Sequence, residues 1–414
     1  MDARPRRTAP RGARALLPLY AASAVLTLGE GGFQLLTPPY MQEQNVSPVV
    51  IGSAVSAYGL VSLLARLPAG ALYRSHRAWW LIAGGTVLSS VAFALLTQTS
   101  SPALLVLFVA LDGAGFAIAS TANMAALIER RPEGANAGSI MGWYTGSLGA
   151  GYALAGFVGG SLGDALGTSS AILVLAFVPL CAGVLLSLVV HATTPERVTE
   201  PGARVAWWRG FHGLPALVWL AFFVTLYINL VSGVVLTFFP LYGLAIGLTL
   251  TQIGILQGIH GGAAAAVRFL SGAVFRFVSY ERTLPAMVLL SGVSVAVIAG
   301  VRWLFVLALA WAALGLSRGL LRVASAALVM DAAGETDARR GAASGVYLAG
   351  LDLGKILGPL VGGVGADRIG LRSTFLVASI AFPVVYFVLW GVTRRRRAHD
   401  VHSVDGGEPA ETAA

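Results

Sequence analysis

Hydropathy and breaker residues divide this chain into twelve long apolar runs, separated by short polar stretches rich in glycine, proline and arginine. The runs cover about 16–40, 49–72, 78–98, 102–128, 138–163, 168–191, 214–241, 250–275, 283–301, 303–329, 342–366 and 372–393. Each is long enough to cross the ~30 Å apolar core of a bilayer as a helix. The pattern predicts an all-α membrane protein with twelve transmembrane helices.

Composition supports this. Of 414 residues, 56% are apolar and only 11% charged, where a soluble domain carries roughly 25% charged residues. Mean hydropathy is +0.77. Soluble enzyme, disordered protein and disulfide scaffold are thereby excluded. The single cysteine, Cys181, permits no internal disulfide.

The net charge of +9 would suggest a nucleic-acid partner in a soluble protein, so its placement decides its meaning. With the N-terminus in the cytoplasm, twenty arginines fall on that side, among them Arg4, Arg14, Arg77, Arg130, Arg204, Arg282 and Arg394 to Arg397. The other face receives only Arg302, Arg368 and Arg372. This is the positive-inside bias of a multi-pass protein of the cell membrane, both termini cytoplasmic, and it implies no nucleic acid. Basic residues before Ala15–Leu28 resemble a secretory signal, but the apolar run continues past Glu30 to Tyr40, so an uncleaved first helix is expected. The expected domains are a cytoplasmic segment 1–15, a six-helix bundle 16–192, a cytoplasmic linker 193–213, a second bundle 214–393 and a disordered cytoplasmic tail 394–414. In the linker, Trp207 and Trp208 are expected at the membrane interface.

The chain repeats itself. Arg66-Leu-Pro-Ala-Gly70-Ala-Leu-Tyr-Arg74 recurs 202 positions later as Arg268-Phe-Leu-Ser-Gly272-Ala-Val-Phe-Arg276. Ile51-Gly52 matches Ile253-Gly254 at the same offset. At offset 203, residues 138–167 match 341–370 at eleven of thirty positions, including Gly159-Gly160 with Gly362-Gly363 and Asp164 with Asp367. Two homologous six-helix halves therefore follow one another, and an even number of spans makes the repeat parallel. Transporters that rock two bundles about a central site are built this way.

On these residues the chain resembles the major facilitator superfamily. The segments at Gly70 and Gly272 stand where that family has its cytoplasmic loop motif, although Arg74 and Arg276 replace the expected acidic residue. The glycine–proline motif of the proton-antiporter branch is intact in helix 11, as Gly354-Lys-Ile-Leu-Gly358-Pro359-Leu-Val-Gly362-Gly363. Helix 5 carries a weaker version, Gly151-Tyr-Ala-Leu-Ala155-Gly156-Phe-Val-Gly159-Gly160. The resemblance implies that these glycines, with Arg66 and Arg268, belong to gating motifs, and that helices 1, 4, 7 and 10 line a central cavity.

Gly350-Leu-Asp-Leu-Gly354-Lys355 is one residue short of a phosphate-binding loop and lies inside an apolar run, so no nucleotide or other cofactor is expected. The histidines are scattered and form no metal-ligand pattern. Glu30, Asp112, Arg318, Arg322, Asp352 and Lys355 lie within spans, where a charge is costly unless paired or facing water. Glu30 corresponds to Ser232 of the second half, and Asp352 and Lys355 to Gly149 and Tyr152, so these charges are not requirements of the repeated scaffold. Lys355 is the sole lysine beside twenty-seven arginines. It is expected to meet Asp352 in an ion pair, another carboxylate across the cavity, or an anionic substrate. Glu30 and Asp112 are candidate proton carriers, with Asp112 alternatively bridged to Arg318 or Arg322. His260 could titrate near neutrality. Phe33, Gln34, Asn123, Trp143, Tyr227 and Asn229 are the expected cavity-lining residues. The reading is a monomeric secondary transporter in a lipid bilayer, not an enzyme. It would export a small amphiphilic or organic compound against a flow of protons or another ion; the alternative is an uptake symporter or uniporter for a sugar, metabolite or organic anion.

Overall fold

A computed structural model of the chain describes residues 16–130, 137–192, 214–274, 280–332 and 337–405. The expected N-terminal segment 1–15 and the linker 193–213, with Trp207 and Trp208, lie outside them. Twelve long helices follow the predicted spans. They are α1 Leu17–Glu43, α2 Pro48–Leu72, α3 Ala78–Leu96, α4 Pro102–Glu129, α5 Ala137–Leu166 and α6 Thr168–Ala192 in the first half. The second half contains α7 Ala216–Ala245, α8 Leu250–Val274, α9 Tyr280–Gly300, α10 Leu304–Ala332, α11 Asp337–Ile369 and α12 Leu371–Asp405. Nine of them are long and apolar enough to cross a membrane on hydropathy alone. The other three are α1, α5 and α8, which carry Glu30, a glycine motif and His260. One boundary differs from expectation. Helix α12 runs through Arg394–Arg397 to Asp405, into the segment expected to be disordered. Arginine and alanine are good helix formers, and no proline or glycine lies between Gly391 and Asp405 to stop the helix beyond the apolar run.

The repeat is written into the turns. Gly167 and Gly370, an identical pair, take φ of 79° and 80° between α5 and α6 and between α11 and α12. Asn45 and Gly247, at offset 202, take φ of 60° and 90° after α1 and α7. All four lie at the end of the molecule away from the start of α1, where chain reversals of a few residues need the left-handed region.

Within each half the same neighbours recur. Helix α1 packs on α5 and α6, α2 on α4, and α3 on α4 and α6; α7, α8 and α9 repeat these contacts with α11, α12 and α10. Between halves, α2 packs on α11 and α5 on α8. The repeat exchanges these two contacts, as a two-fold relation between parallel halves requires. The apolar core is continuous across both halves near the tight turns, where Phe33, Leu36 and Ile51 join Val234, Phe238 and Ile253. Toward the other end it splits, with Leu19, Tyr144 and Leu186 in one cluster and Val218, Val329 and Val346 in another. Gly70, Gly142, Gly149, Gly261 and Gly345 at that end have nothing within 4 Å of an added Cβ. The halves are closed at the turn end and open at the end where α1 begins. Exposed apolar side chains such as Leu64, Phe177, Val293, Phe305 and Ile380 coat the outer surface, as a lipid-facing belt requires.

Candidate functional site: the cleft between the halves

The helix-11 motif divides its small residues between two partners. Positions Gly354, Gly358 and Gly362, spaced by four, lie against α7 at Leu226, Leu230 and Phe238. Pro359 and Gly363, also four apart, face α2 of the other half. A Cβ on Gly52 would come within 2.3 Å of the Pro359 carbonyl oxygen, and one on Gly363 within 2.6 Å of that of Pro48. Helix α5 does the same with its weaker motif. Gly151 and Gly159 lie against α1, while Gly156 and Gly160 meet Gly254 and Leu250 of α8. Of the identical pairs of the internal repeat, Gly52/Gly254 and Gly160/Gly363 thus lie where the two halves touch, while Gly151/Gly354 and Gly159/Gly362 pack within their own halves.

The closed end also has an asymmetric latch that sequence reasoning missed. The Asp164 carboxylate at the end of α5 accepts the N–H groups of Leu250 and Thr251, at 2.9 and 2.8 Å, and the Thr251 hydroxyl at 2.6 Å. It caps α8 across the interface, favourably placed for the positive end of the helix. Asp367, its repeat partner, makes no such bonds among the described residues. The reason is local: Leu250 corresponds to Pro48, which has no N–H, and Thr251 to Val49, which has no hydroxyl. The matched aspartates were the available signal. Asp164→Ala should weaken the closed end by about 1.5–3 kcal/mol per charge-assisted hydrogen bond lost. Single cysteines introduced at the turn end of a Cys181→Ser protein should then label faster. Unchanged labelling would show that the latch has no effect on opening.

At the open end, the missing acidic residue of the loop motif is replaced by another network. The Tyr73 hydroxyl donates to Glu129 at 2.8 Å, Arg130 pairs with Glu129 at 3.4 Å, and Arg130 donates to the Val190 carbonyl at 2.6 Å. These bonds tie the ends of α2, α4 and α6. Burial, followed by the bond to Glu129, pushes the Tyr73 hydroxyl up from its ordinary range. Arg74 turns back to accepting carbonyls of Ala71 and Tyr73. Arg276, and the side chain of Arg268, lie outside the described residues, and Gly272 is within α8.

Glu30 and Asp112 lie together in the first half, 1% and 0% exposed. Gln34 donates to Glu30 at 2.7 Å, and Tyr58 of α2 sits beside the same carboxyl. The two acids are close enough to feel each other's charge. Among the described residues neither carboxylate oxygen of Asp112 has a hydrogen-bond partner; the Ser89 hydroxyl donates instead to the Asp112 backbone carbonyl at 3.4 Å. Gly113 and Gly115, next to it, let α4 lie directly on Tyr58 of α2 and on Gly85 and Ser89 of α3. That close packing seals Asp112 away. The anticipated bridge from Asp112 to Arg318 or Arg322 is not formed, nor do Glu30, Asp112 and Arg318 face one another across the cleft.

The cations gather elsewhere. Lys355 is exposed on α11, where it feels the charges of Asp352 and of Arg66, Arg322 and Arg318. It makes no ion pair with Asp352 within 4.0 Å. Arg318 lies 3.2 Å from the Nε2 of His260, which is buried edge-on to Trp311 between α8 and α10.

Of the six residues expected to line the cavity, Gln34 and Trp143 are exposed. The other four are buried inside their own halves. Phe33 stacks on Phe93 of α3 at 3.7 Å, Asn123 donates to Ser23 at 2.7 Å, and Tyr227 donates to the Val288 carbonyl at 3.3 Å. Asn229 bonds back to the Thr225 carbonyl within α7. Mid-span position shows depth but not the rotation of a helix about its axis, and α1 and α7 are packed on nearly every side.

Residues 19–336 and 276–413 match the family model described as Major Facilitator Superfamily. No curated protein sequence matches the chain. Among solved structures, it is similar to a bacterial homolog of the human lysosomal transporter Spinster in an inward-facing, unoccupied conformation. That match has a TM-score of 0.74 at 14% identity and covers 94% of this chain and 98% of that one. It is also similar to the nucleoside transporter NupG, with a TM-score of 0.75 at 14% identity over 91% and 99% of the two chains. At such identities these likenesses establish the fold alone.

Proposed function

This chain belongs to the major facilitator superfamily, a multi-pass membrane transporter of small molecules, and from that premise we propose that it is a proton-coupled exporter. In this reading it acts as a monomer in the cell membrane with both termini cytoplasmic, exchanging protons for a small amphiphilic or organic compound by alternating access. The buried pair Glu30 and Asp112 carries the proposal. Two carboxyls that feel each other, without a cation bound to either among the described residues, hold a shared proton more cheaply than two charges. Gln34, exposed and bonded to Glu30, provides a link from the pair to the accessible surface. The glycine–proline motif resembling that of antiporters supports the export direction.

The experiment is proton movement in liposomes reconstituted with the purified protein, loaded with a pH-sensitive dye and given a panel of organic compounds. Export by exchange requires at least one compound to drive protons in the direction opposite to its own movement. Co-directional movement would favour the symport alternative, and compound flux indifferent to a pH gradient would refute coupling.

A further inference from the structure

The positive charge in the cleft has no counterpart in the mechanism so far. On α11, Lys355 is four residues before Pro359 and eight before Gly363, so it continues the stripe that faces the other half. Pro359 and Gly363 are already closed against Gly52 and Pro48. One turn nearer, Ser56 donates to the Ile356 carbonyl at 2.6 Å. Lys355 is therefore beside this crossing, with its side chain exposed toward the cleft and Gly59 of α2 still close to its backbone. Arg322 and Arg318 of α10 and Arg66 of α2 are near enough for their charges to act on Lys355, as does that of Asp352 on its own helix. Lys355, Arg66 and Arg322 form no ion pair among the described residues. Cations at membrane depth are expensive unless they face water or an anion. The repeat sharpens the point, because the same place on α5 holds Tyr152 and the place of Asp352 holds Gly149.

We propose that this cluster is the substrate subsite and that it takes an organic anion, a compound whose carboxylate, sulfonate or phosphate lies on Lys355 with Arg322 and Arg66 beside it. The proposal deepens the transport reading by naming the substrate class, and it rests on that reading for the cleft being a transport path. Arginine offers a planar fork for such oxyanions and lysine a compact charge. The anion would sit between the two halves beside this crossing, so its binding would bear directly on their closure.

The test uses full-length protein in detergent at one pH and one ionic strength, read by its unfolding midpoint. The probes are benzoate, benzenesulfonate and phenyl phosphate, with benzamide and benzylamine as neutral and cationic counterparts. At least one anion should raise the midpoint at a concentration tenfold or more below that of benzamide. Lys355→Gln should raise the concentration needed by tenfold or more, Lys355→Arg should retain most of the effect, and Arg372→Gln at the closed end should change nothing. If Lys355→Gln does not fold, Arg322→Gln is judged by the same criterion. Equal stabilisation by benzamide, no stabilisation by any anion, or an unaltered anion response in the glutamine variants would overturn the proposal. Anion binding without any response of transport to a pH gradient would refute proton coupling alone, whereas gradient-driven transport of neutral compounds only would refute the anion subsite alone.

Discussion

Glu30→Gln and Asp112→Asn proteins will exchange substrate across a membrane but will not accumulate it against a pH gradient. One pH unit is worth ~1.4 kcal/mol per proton moved, which corresponds to about tenfold accumulation for a one-to-one exchange. A neutral amide keeps the shape of each side chain and removes the proton site, so the accumulation ratio should fall to unity. Counterflow with substrate on both sides, which needs no net proton movement, should persist. Asp112→Asn is the stricter case. Among the described residues its carboxyl has no hydrogen-bond partner, and the neighbouring Ser89 hydroxyl bonds the Asp112 backbone carbonyl, which the substitution leaves in place. Both variants should retain their unfolding midpoints to within a few degrees. Full accumulation by both would show that protons are carried elsewhere or not at all.

Gly254→Val and Gly156→Val will abolish transport by preventing the turn end from closing. A Cβ on Gly254 would lie 1.8 Å from the carbonyl oxygen of Gly156, and one on Gly156 would lie 2.3 Å from that of Gly254. Both obstacles are backbone, which cannot rotate aside like a side chain. Overpacking costs ~1–3 kcal/mol where neighbours can adjust, and here the adjustment available is separation of the halves. About 3 kcal/mol would move a balanced open–closed equilibrium by on the order of a hundredfold. Paired spin labels at the ends of α5 and α8 should then report a longer distance. Gly84→Val, which meets nothing within 4 Å, serves as the comparison and should close normally. A closed distance in Gly254→Val would mean that the crossing is not a required contact.

Much of this architecture was legible along the chain, because bilayer thickness and hydrogen bonding leave few options for an apolar run of this length. The twelve spans, the parallel repeat and the importance of the glycine motifs all follow from local composition and spacing. The repeat also carried tertiary information, since Gly52 with Gly254 and Gly159-Gly160 with Gly362-Gly363 lie at the pseudo-symmetric helix crossings.

The site was legible only as a set of candidate residues. The buried carboxyls and Lys355 stood out by their cost, but their grouping depended on how each helix is rotated. Asp112 sits among α2, α3 and α4 because Gly113 and Gly115 bring those helices into contact, which separates it from the arginines expected to pair with it. Phe33 and Tyr227, chosen for their depth, turned inward to Phe93 and Val288. Asp164 became a latch only because the start of α8 lies opposite it and offers N–H groups. Hydrophobic burial fixes where each helix lies along the membrane normal, and so can be read from sequence. Which face meets which neighbour is decided by side-chain and backbone packing among many helices at once, and only the assembled structure contains it.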